Sequence, residues 1–376
     1  MSRDLRILVG TIIVLVMLNL AAGARRVQFM RPNSQESQIP TLRIAAWEDY
    51  LAPSLLEEFA RIERCRVELT TFDSNEELIR LLSEEDSRFD VIVPSSYILP
   101  QLIAMRAVSQ LDRNQLANAA TIDTGMDDLA QPALPLGRPG PHSPLTNYGV
   151  PFVVAQTGIA ARIRQGMSRE ELRTWRVFER PDFKGRATLL HDMRETFAAA
   201  LLANNHSVNE TRRASLEEAQ QTISRWLGVA AFNDDTYAAD LHLDRLTVAH
   251  AYPGDVGHIV GESRGIEFLI PKEGASISIE YLSIVLGTEN PDLSRKFIDF
   301  MLHPDRAIRN MEWSHIRTAS TSVFRAYLAD TTRKHVLIPS PLNEVREEWV
   351  LRPLPEEEYR LYRTLWQNVP AQPNPR

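Results

Sequence analysis

One cysteine, Cys65, stands in a chain of 376 residues. No internal disulfide can form, and no cysteine pair is available for a metal or redox motif. Arg64 and Arg66 flank that thiol, yet a half-buried strand position is the expectation for it. Histidines at ligand spacing are missing as well. His191 lies next to Asp192 without a second histidine three or four residues away, which removes the usual metal pattern. Ser95-Ser96 lacks the Gly-x-Ser-x-Gly elbow and an assignable histidine partner, so nucleophilic catalysis is not expected. Excess positive charge is absent too. The formal net charge is −7, which disfavours nucleic acid and anionic membrane surfaces as partners. No internal repeat survives counting, and only one apolar run approaches membrane length.

That run is Ile7–Leu20, preceded by Arg3 and Arg6 and followed by Ala22-Gly23-Ala24. A charged start, an apolar middle and a small-residue end make the pattern of a secretory signal. The run is shorter than the ~20 residues of a typical spanning helix. Arg25-Arg26 follows at once and could stop transfer. Residues 1–24 therefore read as a signal peptide or an N-terminal anchor, and 25–40, polar and aperiodic, as a tether. The remaining length, with 44% hydrophobic residues overall, is too great for one core and favours two lobes.

Leu42–Ala46 is strand-like, and an amphipathic helix near Ser54–Arg64 follows it. Val67–Thr71 alternates as a strand. Ser74-Asn75-Glu76-Glu77 forms a capping box into a helix carrying Leu78, Ile79, Leu81 and Leu82, and Asp90–Val93 is the next strand. This β-α-β-α-β order begins a doubly wound sheet. The stretch 131–147, rich in Pro and Gly, predicts a long loop before a strand at Val150–Val154. A second α/β unit spans strand Ala187–Leu190, helices near Thr196–Ala203 and Leu216–Leu227, and strands near Ala230, Leu246–Ala251 and Ile266–Ile270. Ser278–Leu286 then crosses back to the first lobe. Helices Leu293–Leu302 and Glu356–Val369 close the chain.

Two first-lobe strands end in aromatic, polar loops, Trp47-Glu48-Asp49-Tyr50 and Pro94-Ser95-Ser96-Tyr97. The C-terminal edge of an α/β sheet is where such folds bind ligands. Asp192 and Glu195 at the mouth of a helix add two carboxylates, which also suit the helix dipole. Rings beside hydroxyls and acids fit a ligand with an apolar body and cationic ends.

With these segments assembled, the chain resembles the periplasmic spermidine/putrescine-binding proteins of polyamine ABC transporters. The resemblance runs from Leu42 to Val369. Its carriers are Trp47-Glu48-Asp49-Tyr50, Phe72-Asp73-Ser74-Asn75-Glu76, Phe89-Asp90-Val91-Ile92-Val93-Pro94-Ser95-Ser96-Tyr97, Phe183-Lys184-Gly185, Asp192-Met193-Arg194-Glu195, Ala230-Ala231-Phe232-Asn233-Asp234-Asp235, Pro271-Lys272-Glu273-Gly274 and Phe300-Met301-Leu302-His303-Pro304-Asp305. It implies a type II periplasmic-binding-protein-like fold, two α/β lobes with a hinge and a ligand cleft between them. Lobe 1 would be 41–153 plus 276–318, and lobe 2 would be 154–275 plus 319–372. The site would comprise Trp47, Tyr50, Ser95 and Tyr97 facing Asp192 and Glu195, with Glu280 where the family has an Asp and Tyr252 where it has a Trp. The implied role is an exported, periplasmic, monomeric, non-enzymatic protein without cofactor or metal. It would capture a polyamine or other cationic small molecule and deliver it to an inner-membrane ABC transporter permease. Ser278, Ile316 and Val350 depart from the pattern, which has a ring, a Tyr and a Gln there; the Trp usual near Val153-Val154 is absent too.

Two other function classes fit parts of the sequence. One is a membrane-anchored sensor or scaffold that keeps the binding fold with altered or lost ligand specificity. The other is a hydrolase using Asp192 and Glu195 as an acid/base pair. Carboxyls three residues apart on one helix turn sit side by side, which suits clasping an ammonium better than flanking a scissile bond.

Overall fold

The computed structural model describes residues 26–29, 39–84, 88–122, 124–130, 144–234, 236–260, 265–332 and 347–370. The apolar N-terminal segment, most of the tether and most of the Pro/Gly-rich stretch lie outside these residues. The strands in chain order are β1 (Arg26–Phe29), β2 (Thr41–Trp47), β3 (Arg66–Phe72), β4 (Val91–Ile92), β5 (Val150–Gln156), β6 (Gly158–Arg162), β7 (Ala187–Leu189), β8 (Ala231–Phe232), β9 (Val248–Ala251), β10 (Ile266–Leu269), β11 (Ile277–Ile284) and β12 (Arg317–Thr318). They form two sheets, β1-β3-β2-β4-β11-β5-β12 and β10-β6-β9-β7-β8. Each sheet carries one α/β lobe.

The first lobe is parallel where the β-α-β-α-β reading applies, since β2 pairs in parallel with both β3 and β4. The connecting helices start and stop on local signals. Helix Pro53–Glu63 begins with Pro in its first turn and ends at Arg64 in a left-handed cap. Helix Asn75–Ser83 is capped by Ser74, whose hydroxyl accepts the Glu77 N–H at 3.2 Å. Arg26–Phe29 departs from the tether expectation by pairing antiparallel with β3. Cys65 is fully buried in the link before β3 rather than half-buried within a strand, and burial raises its pKa to about 11.

The chain passes between lobes where the sequence turns. β5 runs into β6 through Thr157 alone, and β10 returns to β11 through residues 270–276. These two passes touch, the Thr157 N–H donating to the Ser276 carbonyl at 3.2 Å. A third comes from the C-terminal segment. Val350 bridges to Ile277 in parallel, and the Leu351 N–H donates to the Ile277 carbonyl at 2.8 Å. Helix Glu356–Gln367 then packs on second-lobe helices Met193–Ala203 and Arg213–Trp226. Helix Thr321–Ala329 packs on helix Pro304–Ser314 and β12, beside the first sheet. The second-lobe core is aromatic. Trp175 meets His250 edge-on at 4.8 Å, and its indole N–H donates to the Gly274 carbonyl at 2.8 Å. Burial holds His250 neutral, with its pKa lowered to about 3.

Asp90 ties together three strands that carry site residues. Its carboxylate accepts from the Arg43 N–H in β2 at 2.7 Å, from Asn290 at 3.2 Å and from the Thr288 hydroxyl beyond β11. Its carbonyl accepts the Val285 N–H at 3.0 Å. Asp90→Ala strands the part-buried donors of Arg43, Thr288 and Asn290, so urea denaturation should show a loss of about 1 to 3 kcal/mol. Unchanged stability would show that the three strands hold their places without it.

Candidate ligand cleft

β2 delivers Trp47 to the sheet edge, and the following turn places Asp49 in the left-handed region at φ 57°. The Trp47 ring lies 6.1 Å from Tyr50, 4.9 Å from Phe72 and 6.4 Å from Tyr252 of the second lobe. Its indole N–H donates to the Glu280 carboxylate at 3.2 Å. Glu280 sits at a register shift in β11, opposite Ser95. Ser95 and Tyr97 are positioned by Asn75, the first residue of the Ser74-capped helix. The Asn75 amide donates to the Ser95 hydroxyl at 3.0 Å and to the Tyr97 hydroxyl at 2.7 Å, and its oxygen accepts the Ser95 N–H. The capping box thus fixes two site residues twenty positions downstream.

Across the cleft, Asp192 caps helix Met193–Ala203 and accepts the Glu195 N–H at 2.9 Å. Glu195 accepts hydroxyl bonds from Thr157, at 2.9 Å, and from Ser276, the two residues at the waist between the lobes. Tyr252 has its N–H bonded to the Tyr237 hydroxyl at 3.0 Å, while its own hydroxyl oxygen is buried without a partner. Arg194, between the two acids in sequence, bridges the lobes. It is buried, with its guanidinium 5.1 Å from the Tyr97 ring of the first lobe and 5.4 Å from the Tyr362 ring.

The carboxyls share one electrostatic condition. Glu280 is 1% exposed, and burial pushes its pKa up to about 7 against bonds from Ser278, Ser95 and Trp47, with the Glu195 charge adding to the rise. Burial also raises Asp192, helped by the charges of Glu195 and Glu76. Glu195 is raised by burial in spite of its two hydroxyl partners. Such groups favour a proton or a cation at short range.

A small cavity of about 60 Å³ opens beside the Trp47 ring, between Phe72 and Tyr252. Asp73, Asp234 and Asp255 line it too, none of them among the site residues that the sequence implies. Asp255 is the notable one. Burial raises it to about 7, and the Tyr237 hydroxyl eighteen residues earlier donates to it, a contact with no local sequence signature. The three departures have distinct places. Ser278 bonds Glu280, Ile316 lines the cavity, and Val350 is fully buried beside Ile277.

The family model described as Bacterial extracellular solute-binding protein matches residues 55–337. A putrescine/cadaverine-binding protein of Pseudomonas aeruginosa is 26% identical over 377 residues, covering 95% of this chain and 98% of the relative. The spermidine/putrescine-binding periplasmic protein of Escherichia coli is 25% identical over 332 residues, covering 88% of this chain and 91% of the relative. Among solved structures, the Tp0655 (TpPotD) lipoprotein of Treponema pallidum superposes with a TM-score of 0.74 at 22% identity, covering 88% of this chain and 99% of the other. The binding protein AgtB of A. tumefaciens, in complex with agropinic acid, gives 0.61 at 15% identity, covering 88% and 96%. The type II fold is therefore shared well beyond relatives named for polyamines.

Stability should follow the cleft carboxyls. Glu280 and Asp255 bind their protons more tightly folded than unfolded, so their stabilisation is complete below the ordinary carboxyl range and is lost as pH rises through about 7. For Glu280 the loss is on the order of 3 kcal/mol. Urea denaturation of the unliganded protein at pH 5 and pH 8 should show it, and Glu280→Gln should flatten the difference. An equally steep pH dependence in the variant would remove Glu280 from the account.

Proposed function

The chain belongs to the bacterial extracellular solute-binding protein family, and on that premise we propose that it captures a linear polyamine, or a cation of similar shape, between its two lobes. The observation that carries this reading is the set of buried acids Asp192, Glu195 and Glu280. All three are bonded by amide, hydroxyl or indole donors and all are pushed toward protonation. Desolvated carboxylates cost several kcal/mol each unless a cation joins them. A ligand ammonium would supply that cation, and the rings of Trp47, Tyr50, Tyr97 and Tyr252 would cover its methylenes, a cation over such a face adding roughly 0.5 to 2 kcal/mol. The names of the aligned relatives support the same ligand class.

The lobes in this reading are 41–153 with 276–318, and 154–275 with the C-terminal segment from 347, helix Thr321–Ala329 staying with the first lobe by its contacts. They close about the passes at Thr157 and 270–276. The protein acts in the periplasm as a monomer, exported by its N-terminal segment, and hands its ligand to an inner-membrane ABC transporter permease. No catalytic step is assigned. Asp192 caps a helix and Glu195 grips the waist, an arrangement for clasping a cation rather than for acid/base exchange with a substrate.

Calorimetry with putrescine, cadaverine and spermidine tests the proposal. Binding near pH 7 should release protons, seen as an enthalpy that changes with buffer, because an ammonium favours the charged carboxylates. Glu195→Gln and Asp192→Asn should each weaken binding by on the order of 2–5 kcal/mol. With Ser278, Ile316 and Val350 in place of anchoring side chains, the three amines should bind within about tenfold of one another, roughly 1.4 kcal/mol. Neutral or acidic solutes that compete better than any amine would overturn the ligand class. Unchanged amine binding in the two variants would overturn the site.

A further inference from the structure

Helix Pro253–Val260 of the second lobe approaches the first lobe more closely than a side chain permits. A Cβ on Gly257 would lie 2.2 Å from both Cβ and Cγ of His315. A Cβ on Gly254 would lie 3.1 Å from the Ser314 carbonyl oxygen and 3.5 Å from Ile316 Cδ1. Residues three apart share a helix face, so the two glycines present one bare surface. Opposite that surface stands the end of helix Pro304–Ser314, which is fixed in the first lobe by Asn310. The Asn310 amide donates to the Tyr50 carbonyl and accepts the Ala52 N–H, both at 2.9 Å.

Two first-lobe residues that meet this helix hold left-handed backbone without being glycine. His315 has φ 57° and closes helix Pro304–Ser314 by donating its N–H to the Met311 carbonyl at 3.0 Å. Asp49 has φ 57° and its carboxylate lies 3.8 Å from the His258 ring nitrogen. The His258 ring also lies 5.3 Å from Trp313 and 5.1 Å from His315. Gly254 and Ile316 are both cavity walls, so the seat of the helix and the size of the cavity are set by the same atoms.

We propose that the Gly254–Gly257 face, seated on His315, is the stop that sets how far the cleft closes, and that it thereby determines which ligand lengths the closed site retains. The identity of the ligand rests on the amine reading above; the stop itself does not.

The test uses the full chain. Gly257→Val should hold the lobes apart. Small-angle scattering with saturating amine should give a larger radius of gyration than wild type. Affinity for putrescine should fall at least tenfold while that for spermidine falls less. Gly257→Ala should act in the same direction, although alanine is the better helix former and a purely local effect would stabilise the helix. His315→Gly suits the left-handed position and removes the obstructing ring, so the pair Gly257→Ala with His315→Gly should recover the wild-type profile. Wild-type radius and wild-type length profile in Gly257→Val would overturn the stop. Should the wild type bind no amine, the ligand reading fails and a ligand-free measurement decides the stop. Spin labels at the exposed positions Ile62→Cys and Leu243→Cys, one on each lobe, report the interlobe distance. An unchanged distance in Gly257→Val overturns the proposal, and a longer one supports it.

Discussion

The carboxylate of Glu195 is the constraint on which the other parts converge. It is buried, it starts a helix whose cap is the neighbouring acid Asp192, and it takes its hydroxyl bonds from Thr157 and Ser276, where the chain passes between lobes. A carboxyl held in this way senses both charge in the cleft and the path of the backbone at the waist. Removing either hydroxyl leaves it in a poorer dielectric bargain, and bringing a cation beside it changes its protonation. The cleft acids and the passes between the lobes are therefore joined directly by hydrogen bonds, and on the proposed reading a ligand that satisfies the acids would act on the residues around which the lobes turn.

The same reasoning explains why the cleft tolerates so many acids with so few basic side chains among their bonds. Glu280 is shielded by three donors, Asp255 by a tyrosine, and Asp192 by the backbone of the helix it caps. Each arrangement lowers the cost of burial without cancelling the preference for a proton. Arg194 offsets Glu195 only in part through its charge, because its guanidinium lies against the Tyr97 and Tyr362 rings and is bonded to the C-terminal segment and Asn209.

Much of this was legible in the residues, for local reasons. Trp47 and Tyr97 end apolar runs in polar loops, and Ser74 begins a capping box, so strand ends and helix start could be placed without long-range information. The failures have equally local causes. Helix Pro253–Val260 has no helical signature in its residues: Pro is at home in a first helical turn but does not announce one, and the glycines answer to a neighbour some sixty residues away. Gly158–Arg162 is too short and too weakly patterned to announce itself, although it becomes a central strand of the second sheet. Arg26–Phe29 gains its structure from the open edge of β3, which no reading of its own polar neighbourhood would supply. The role of Asp255 depends on Tyr237, and pairings of that kind are settled by the fold.

The waist has a mechanical character that its hydrogen bonds imply. Gln156, Ile277 and Val350 lie side by side, paired in turn, so three passes of the chain form a narrow ribbon where the lobes meet. Two cords would let one lobe spin about the other. A ribbon flexes readily out of its own plane and resists shear and torsion, much as a piano hinge restricts a lid to a single swing. The C-terminal segment, through Val350 and Leu351, thus supplies the pass that would confine the jaws to one direction of travel.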